Sequence, residues 1–199
     1  MFKKILAFSL SLLSLTAFAQ VAATADNVKP LLIGQSVPKI NLQSIDGQSV
    51  AIDSLFALKP TVLIFYRGGW CPYCNTHLKE VGDIESKLLG LGYQIVAISP
   101  DAPNKLANTT EKDSLHYLLL SDSKTELIQK MGIAFAAPEK YKKMLLDFSK
   151  EGNTEGVLPA PSVFFVDKTG KIALEYVNPD YKKRVSGKLI LAMATALIQ

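Results

Sequence analysis

The chain has 199 residues, 48% of them hydrophobic and 20% charged, with ten prolines and only two cysteines. That length supports one hydrophobic core and no second full domain, and the composition excludes a disordered, collagenous or disulfide-scaffold protein. A formal charge of +4 is too small to imply a nucleic-acid or membrane partner by itself.

Residues 1–19 read as a cleaved secretory signal. Lys3 and Lys4 precede an apolar run from Ile5 to Phe18, and Ala17-Phe18-Ala19 offers the small-x-small pattern that a signal peptidase cuts. The mature chain then starts at Gln20; Ala23-Thr24-Ala25 is a second acceptable site, and an uncleaved anchor is the alternative. The run is too short for a comfortable membrane span, so no stable membrane insertion is expected after cleavage. The expectation is a periplasmic or secreted protein whose cysteines work outside the reducing cytosol.

Residues 20–37 read as a lead-in, flexible where 21–29 are small and polar, and one domain follows over 38–199. A hairpin is predicted from residues 41–45 and 49–52 around Asp46-Gly47, a strong two-residue turn signal. Residues 61–66 are continuously apolar and β-branched or aromatic, as in a strand buried on both faces, and run into a flexible turn at Arg67-Gly68-Gly69. Leu78, Val81, Ile84, Leu88 and Leu91 recur at helical spacing, predicting one helix from Pro72 to about Leu91 that Gly90 and Gly92 stop.

A strand over 93–99, a polar helix over 103–112 and a short strand over 117–120 come next. Ser121 or Asp122 can cap a helix carrying Leu127, Ile128 and Met131. After an insertion at about 132–158, a strand over 163–166, a tight turn, a strand over 171–177 and a helix over 187–198 close the chain. The insertion holds a small helix over 139–148 with Tyr141, Leu145 and Phe148 as its stripe, and its lysines read as a solvated face. It either covers the site or lengthens a loop. The alternation implies an α/β sandwich with helices on both faces of the sheet.

The chemistry is concentrated in Trp70-Cys71-Pro72-Tyr73-Cys74, at the junction of a buried strand and an amphipathic helix. Cys71 at the helix N-terminus faces unpaired backbone N–H groups that stabilise a thiolate. Cys74, one turn inward, is close enough to attack a sulfur bonded to Cys71, and Pro72 is tolerated because its missing N–H has no helical partner there. A purely stabilising disulfide would close too small a loop to restrain the unfolded chain. Half of a metal site would need His77 and His116, which read as structural residues. Trp70 and Tyr73 flank the pair, either as an apolar platform for an incoming polypeptide or as packing over the loop. Pro161 enters the strand after Leu158-Pro159-Ala160. A cis Ala160–Pro161 bond would turn the backbone of Ala160 toward the cysteines, and a trans proline at a strand entrance is the alternative.

From Pro38 to the closing helix the sequence resembles the thioredoxin superfamily, and within it the peroxiredoxin-like branch of the alkyl hydroperoxide reductase/thiol-specific antioxidant (AhpC/TSA) family. The resemblance rests above all on Phe65-Tyr66-Arg67-Gly68-Gly69-Trp70-Cys71-Pro72-Tyr73-Cys74. Ser99-Pro100-Asp101, Leu120-Ser121-Asp122, the stretch from Phe165 to Gly170 and Asn178-Pro179-Asp180-Tyr181 add to it. It implies a thioredoxin-like three-layer α/β/α sandwich with a central mixed sheet and an N-terminal hairpin. It also implies Cys71 as nucleophile, Cys74 as resolving cysteine and Pro161 as a cis-proline facing them.

Two departures stand out. Where such enzymes have a proline and, three residues before the cysteine, a Thr or Ser, this chain has Arg67 and Gly68. Where they have an arginine entering the later strand, it has Pro161. Arg67 either replaces that arginine electrostatically or is a surface or loop-anchoring residue; Arg184 is a second, weaker candidate.

The first reading is an exported thiol–disulfide oxidoreductase in which Cys71 attacks a protein disulfide and Cys74 resolves the mixed disulfide, in either redox direction. The alternative is a two-cysteine peroxidase that forms a sulfenic acid on Cys71 and condenses it with Cys74. A redox-inert binding protein of the same fold is the third reading. Neither enzyme reading needs an organic cofactor or a metal. Both need an external dithiol/disulfide redox partner, which outside the cytosol must be an exported or membrane-relayed system.

Overall fold

The computed structural model describes residues 21–198; the expected signal segment and its cut after Ala19 lie outside the described residues. The hairpin pairs β1 (Asn41–Gln43) with β2 (Ser49–Ala51) around the Asp46-Gly47 turn. The chain then enters α1 (Ile52–Leu58) and β3 (Thr61–Phe65). Next come α2 (Pro72–Gly82), α3 (Glu85–Gly90), β4 (Gln94–Ser99), α4 (Pro103–Asp113), β5 (Leu118–Ser121) and α5 (Glu126–Lys130). The remainder is β6 (Ala134–Ala136), α6 (Glu139–Phe148), β7 (Val157–Pro159), β8 (Ser162–Val166), β9 (Ile172–Val177) and α7 (Gly187–Leu197).

Seven strands form one mixed sheet in the order β2-β1-β5-β4-β3-β8-β9, with β3, β4 and β5 parallel and β8 antiparallel to β3. β3 is central because every one of its side chains is buried, and strand alternation divides them between two faces. Val62 and Ile64 pack with Leu78 and Val81 of α2, Leu88 of α3, Leu106 of α4 and Ile190 of α7. Leu63 and Phe65 pack on the other face with Ile52 and Phe56 of α1 and with Leu127 and Ile128 of α5. This is the three-layer α/β/α arrangement expected from the sequence.

Several local expectations are corrected. The strand drawn through Ile52 ends at Ala51, because Ile52, Leu55 and Phe56 recur at helical spacing and form α1 before Pro60. The single helix predicted from Pro72 to Leu91 breaks between Gly82 and Glu85. Gly and Asp are poor helix formers, and they stand together at the break.

Residues 21–29 are not a free lead-in. Ala22 donates to the Ala134 carbonyl and accepts from Ala136, while Lys29 and Leu31 donate to Gly132 and Met131. Ala22 thus bridges to β6 beside Phe135, a single 3-10 turn over Ala25–Asn27 follows, and the chain is tied down again at Lys29 and Leu31. Asp122 does serve α5, but across a turn: its Oδ2 accepts from the Ile128 N–H at 2.8 Å, and the N-cap position belongs to Thr125. Residues 134–159 contain a second, two-stranded sheet of β6 and β7 around α6, which periodicity did not disclose.

Candidate active site

β3 ends at Phe65 and α2 begins at Pro72, so residues 66–71 form the loop that carries Cys71 beyond the C-terminal end of the central strand. The Tyr66 N–H starts that loop by donating to the Ile98 carbonyl of β4, and three further bonds hold it. The Cys71 N–H donates to the Gly68 carbonyl, the Gly69 N–H donates to Asp101 Oδ2 at 2.7 Å, and Asn75 Nδ2 donates to the Gly69 carbonyl.

Gly68 has φ +141°, and a Cβ built on it would lie 2.3 Å from Trp70 Nε1 and 2.7 Å from Asp101 Oδ1. The position where the resemblance expects a hydroxyl residue is therefore filled by the edge of an indole and a carboxyl. Glycine is required there by both conformation and space.

Cys71 is the N-cap of α2, with Pro72 in the first turn. Both cysteines are free thiols, and both are buried. The Cys71 thiol is brought down to about 6, chiefly because the Cys74 thiol hydrogen-bonds to it. Burial opposes this, while the Cys74 N–H and the charges of Arg67 and Arg184 add to it. Cys74 moves the other way: burial and the thiolate-forming neighbour push its thiol well above the ordinary value. One sulfur is held as an anion and its partner keeps the proton.

Arg67 is 4% exposed, so it is not a surface residue. Its guanidinium carbon lies 4.4 Å from the ring centroid of Tyr181, 4.9 Å from Trp70 and 5.3 Å from Tyr141. Three aromatic faces thus confine a buried cation beside the thiolate. Arg184, on the loop before α7, directs a guanidinium nitrogen to within 3.4 Å of Cys74 Sγ.

The remaining predicted residues fall into place individually. Trp70 packs against Tyr141 of α6 and into a small cluster with Ala137, Leu145 and Leu158, so it covers the loop and is no open platform. Tyr73 is 43% exposed and meets Tyr181 edge-on at 5.7 Å, leaving it the only one of the pair facing outward.

Pro161 is buried, but there is no cis peptide bond among the described residues. As a trans residue just before β8 it lacks only a donor, and its carbonyl accepts from the Asn178 N–H. The Ala160 N–H is spent on the Ile133 carbonyl and is not turned toward the cysteines. His77 is buried on α2; burial, helped by the Arg184 charge, lowers it to about 4 and keeps it neutral. His116 is exposed in the short irregular stretch between α4 and β5.

Two neighbours of the site were not singled out in the sequence. Asp101 was visible only as part of a motif; it is fully buried, and burial lifts its carboxyl to about 7 against the Gly69 N–H bond that favours the anion. Tyr141 reads in the sequence as an ordinary helix-stripe residue, and no local signal assigns it to Trp70 and Arg67. The insertion helix does cover the site.

The sequence profile of the AhpC/TSA family matches residues 33–175. Peroxiredoxin Bcp of Escherichia coli (strain K12) is 30% identical over 155 residues, which are 78% of this chain and 90% of that one. Among solved structures, reduced Prx3 of Vibrio vulnificus in complex with hydrogen peroxide superposes with a TM-score of 0.70 at 19% identity, covering 82% of this chain and 99% of that one. Peroxidoxin BcpB of Mycobacterium tuberculosis gives 0.66 at 20% identity, over 83% and 95% of the two chains. At those identities the superpositions establish the thioredoxin-like fold. The chain belongs to the AhpC/TSA family, and so to the peroxiredoxin-like oxidoreductases of the thioredoxin superfamily.

Proposed function

We propose that the protein is a thiol-dependent peroxidase that uses Cys71 and Cys74 in one chain, exported before it acts. The relatives bear peroxiredoxin names, which favours hydroperoxide reduction over the disulfide exchange that the Cys-x-x-Cys spacing put first. The observation that carries the reading is the pair of free thiols in which Cys71 is held as thiolate next to the caged Arg67.

The Cys71 thiolate attacks one oxygen of the hydroperoxide, the O–O bond breaks, and water or an alcohol leaves once the departing oxygen takes a proton. Cys71 becomes a sulfenic acid. Cys74 attacks that sulfur, expelling the hydroxyl as water and forming the Cys71–Cys74 disulfide. An external dithiol then returns both thiols by exchange. With no hydroxyl at Gly68 to orient the peroxide, Arg67 supplies the positive charge beside the breaking bond.

Stopped-flow fluorescence tests this, since Trp70 is the sole tryptophan and adjoins Cys71. Mixing the reduced protein with hydrogen peroxide, and in parallel with an organic hydroperoxide, is expected to give oxidation far faster than a free thiol and absent in C71S. Rates no faster than a free thiol with both peroxides would overturn the reading and return disulfide exchange to first place.

A further inference from the structure

We propose that Arg184 is the catalytic partner of the resolving cysteine: its guanidinium stabilises the Cys74 thiolate as that sulfur attacks Cys71, a role separate from that of Arg67 beside Cys71. This deepens the peroxidase reading above, and it holds equally for resolution of a mixed disulfide.

Both arginine charges favour the Cys71 thiolate, but only Arg184 has its guanidinium in direct contact with Cys74. Arg184 Nη2 donates toward Cys74 Sγ at 3.4 Å, while its Nη1 donates to the carbonyls of Tyr181 and Lys183 at the turn before α7. That turn fixes the guanidinium plane, so the charge is aimed rather than mobile. Among the described residues no carboxylate pairs with Arg184; Asp180, the acid of the same loop, pairs with Lys183 at 3.8 Å. Its charge is thus uncompensated and directed at sulfur. Arg67, by contrast, reaches Cys74 only through its backbone, and its side-chain charge acts on Cys71.

The resolving step needs such a group. Cys74 is fully buried, and in the reduced protein its proton is shared with the Cys71 thiolate. Once Cys71 carries oxygen that thiolate is gone, and the attacking sulfur must take on negative charge while closed off from solvent. The Cys74 proton leaves with the sulfenic hydroxyl as water, the new S–S bond forms as the S–O bond breaks, and an adjacent cation lowers the charge separation on the way. The other titratable groups that act on or beside Cys74 cannot supply that cation: Tyr66 is a buried phenol, and His77 stays neutral next to Arg184.

The test separates the two chemical steps in R184Q and R184K. Trp70 fluorescence gives the oxidation of Cys71, and dimedone added after one turnover reports by mass the sulfenic acid that has not been resolved. In R184Q the first step is expected to slow, because the Arg184 charge also helps hold Cys71 as a thiolate, but by less than the resolving step does; circular dichroism reports the intact fold. Resolution slows about tenfold or more, as loss of a charge-assisted bond predicts, and the dimedone adduct accumulates. R184K, keeping the charge without the fork, is expected to fall between.

A second readout does not depend on peroxide. In C71S, thiolate absorbance near 240 nm titrates Cys74 alone, and R184Q is expected to move its midpoint upward. Wild-type resolution and an unmoved Cys74 midpoint in both variants would overturn the assignment. A protein that fails to react with peroxide but shows the midpoint shift would sink the peroxidase reading and leave Arg184 in place.

Discussion

The indole of Trp70 lies against the phenol of Tyr141, 5.6 Å between ring centroids and 32° between planes. Tyr141 belongs to α6, so the helix of the insertion closes over the residue that precedes Cys71. The same two rings, with Tyr181, enclose the Arg67 guanidinium. The cover and the charge at the site are one construction.

Removing one wall should expose it. Y141A is expected to shift Trp70 emission to longer wavelength, increase its quenching by acrylamide and lower stability by about 1–2 kcal/mol. Bulky alkylating reagents should reach Cys71 faster than in wild type. Unchanged emission and alkylation would mean that α6 does not cover the loop in solution.

The low Cys71 value depends first on Cys74. C74A removes the thiol that hydrogen-bonds to Cys71, so the Cys71 midpoint should rise from about 6 toward 9, read as thiolate absorbance against pH. R67Q should raise the midpoint less, since the Arg67 charge is a smaller cause, yet slow peroxide oxidation on the order of 10- to 100-fold by removing charge at the breaking bond. R67K keeps the charge but cannot stack as a plane on three rings, and should recover only part.

Stability against pH should carry two opposed contributions. Asp101 is raised to about 7, so the folded state holds a proton that the unfolded state has lost above about pH 4; its contribution is present at low pH and disappears as pH rises through 7. Asp122, raised to about 6, has the same sign. His77 is lowered to about 4, so the unfolded state binds more protons between 4 and 6.5, and its contribution grows across that window. Urea titrations between pH 4 and 8 should therefore show D101N losing less stability than wild type as pH rises to 8. H77Q should lose the gain between pH 4 and 6.5. Parallel profiles for wild type and D101N would mean that Asp101 titrates normally.

The close approach of the loop to α4 is a steric prediction. A Cβ on Gly69 would lie 2.0 Å from Thr109 Oγ1. G69A should destabilise the protein by about 1–3 kcal/mol, and T109A in the same chain should restore much of that loss. Equal penalties in the single and double variants would place the strain elsewhere.

The sequence alone located the cysteine pair and the layers. Cys71 and Cys74 stand one turn apart where a wholly apolar run meets a helical stripe, and both signals are local: strand alternation and helix spacing act within a few residues. They also fixed which helices bury their apolar faces, since Leu78, Val81 and Leu88 could hardly face water. Local pattern even held the α1 signal at Ile52, Leu55 and Phe56, and the Gly82-Asp83 break.

What only the tertiary structure decided is what surrounds the sulfurs. Arg184 reaches Cys74, Asp101 reaches Gly69 and Tyr141 reaches Trp70 across long stretches of chain. The trans state of Pro161 and the binding of residues 22–31 to the 131–136 segment are also set by partners distant in sequence. A charge, a buried carboxyl or an aromatic ring has no periodicity that announces its partner. Its effect on a thiol depends on distance and on the exclusion of water, and both come into being only when the layers pack.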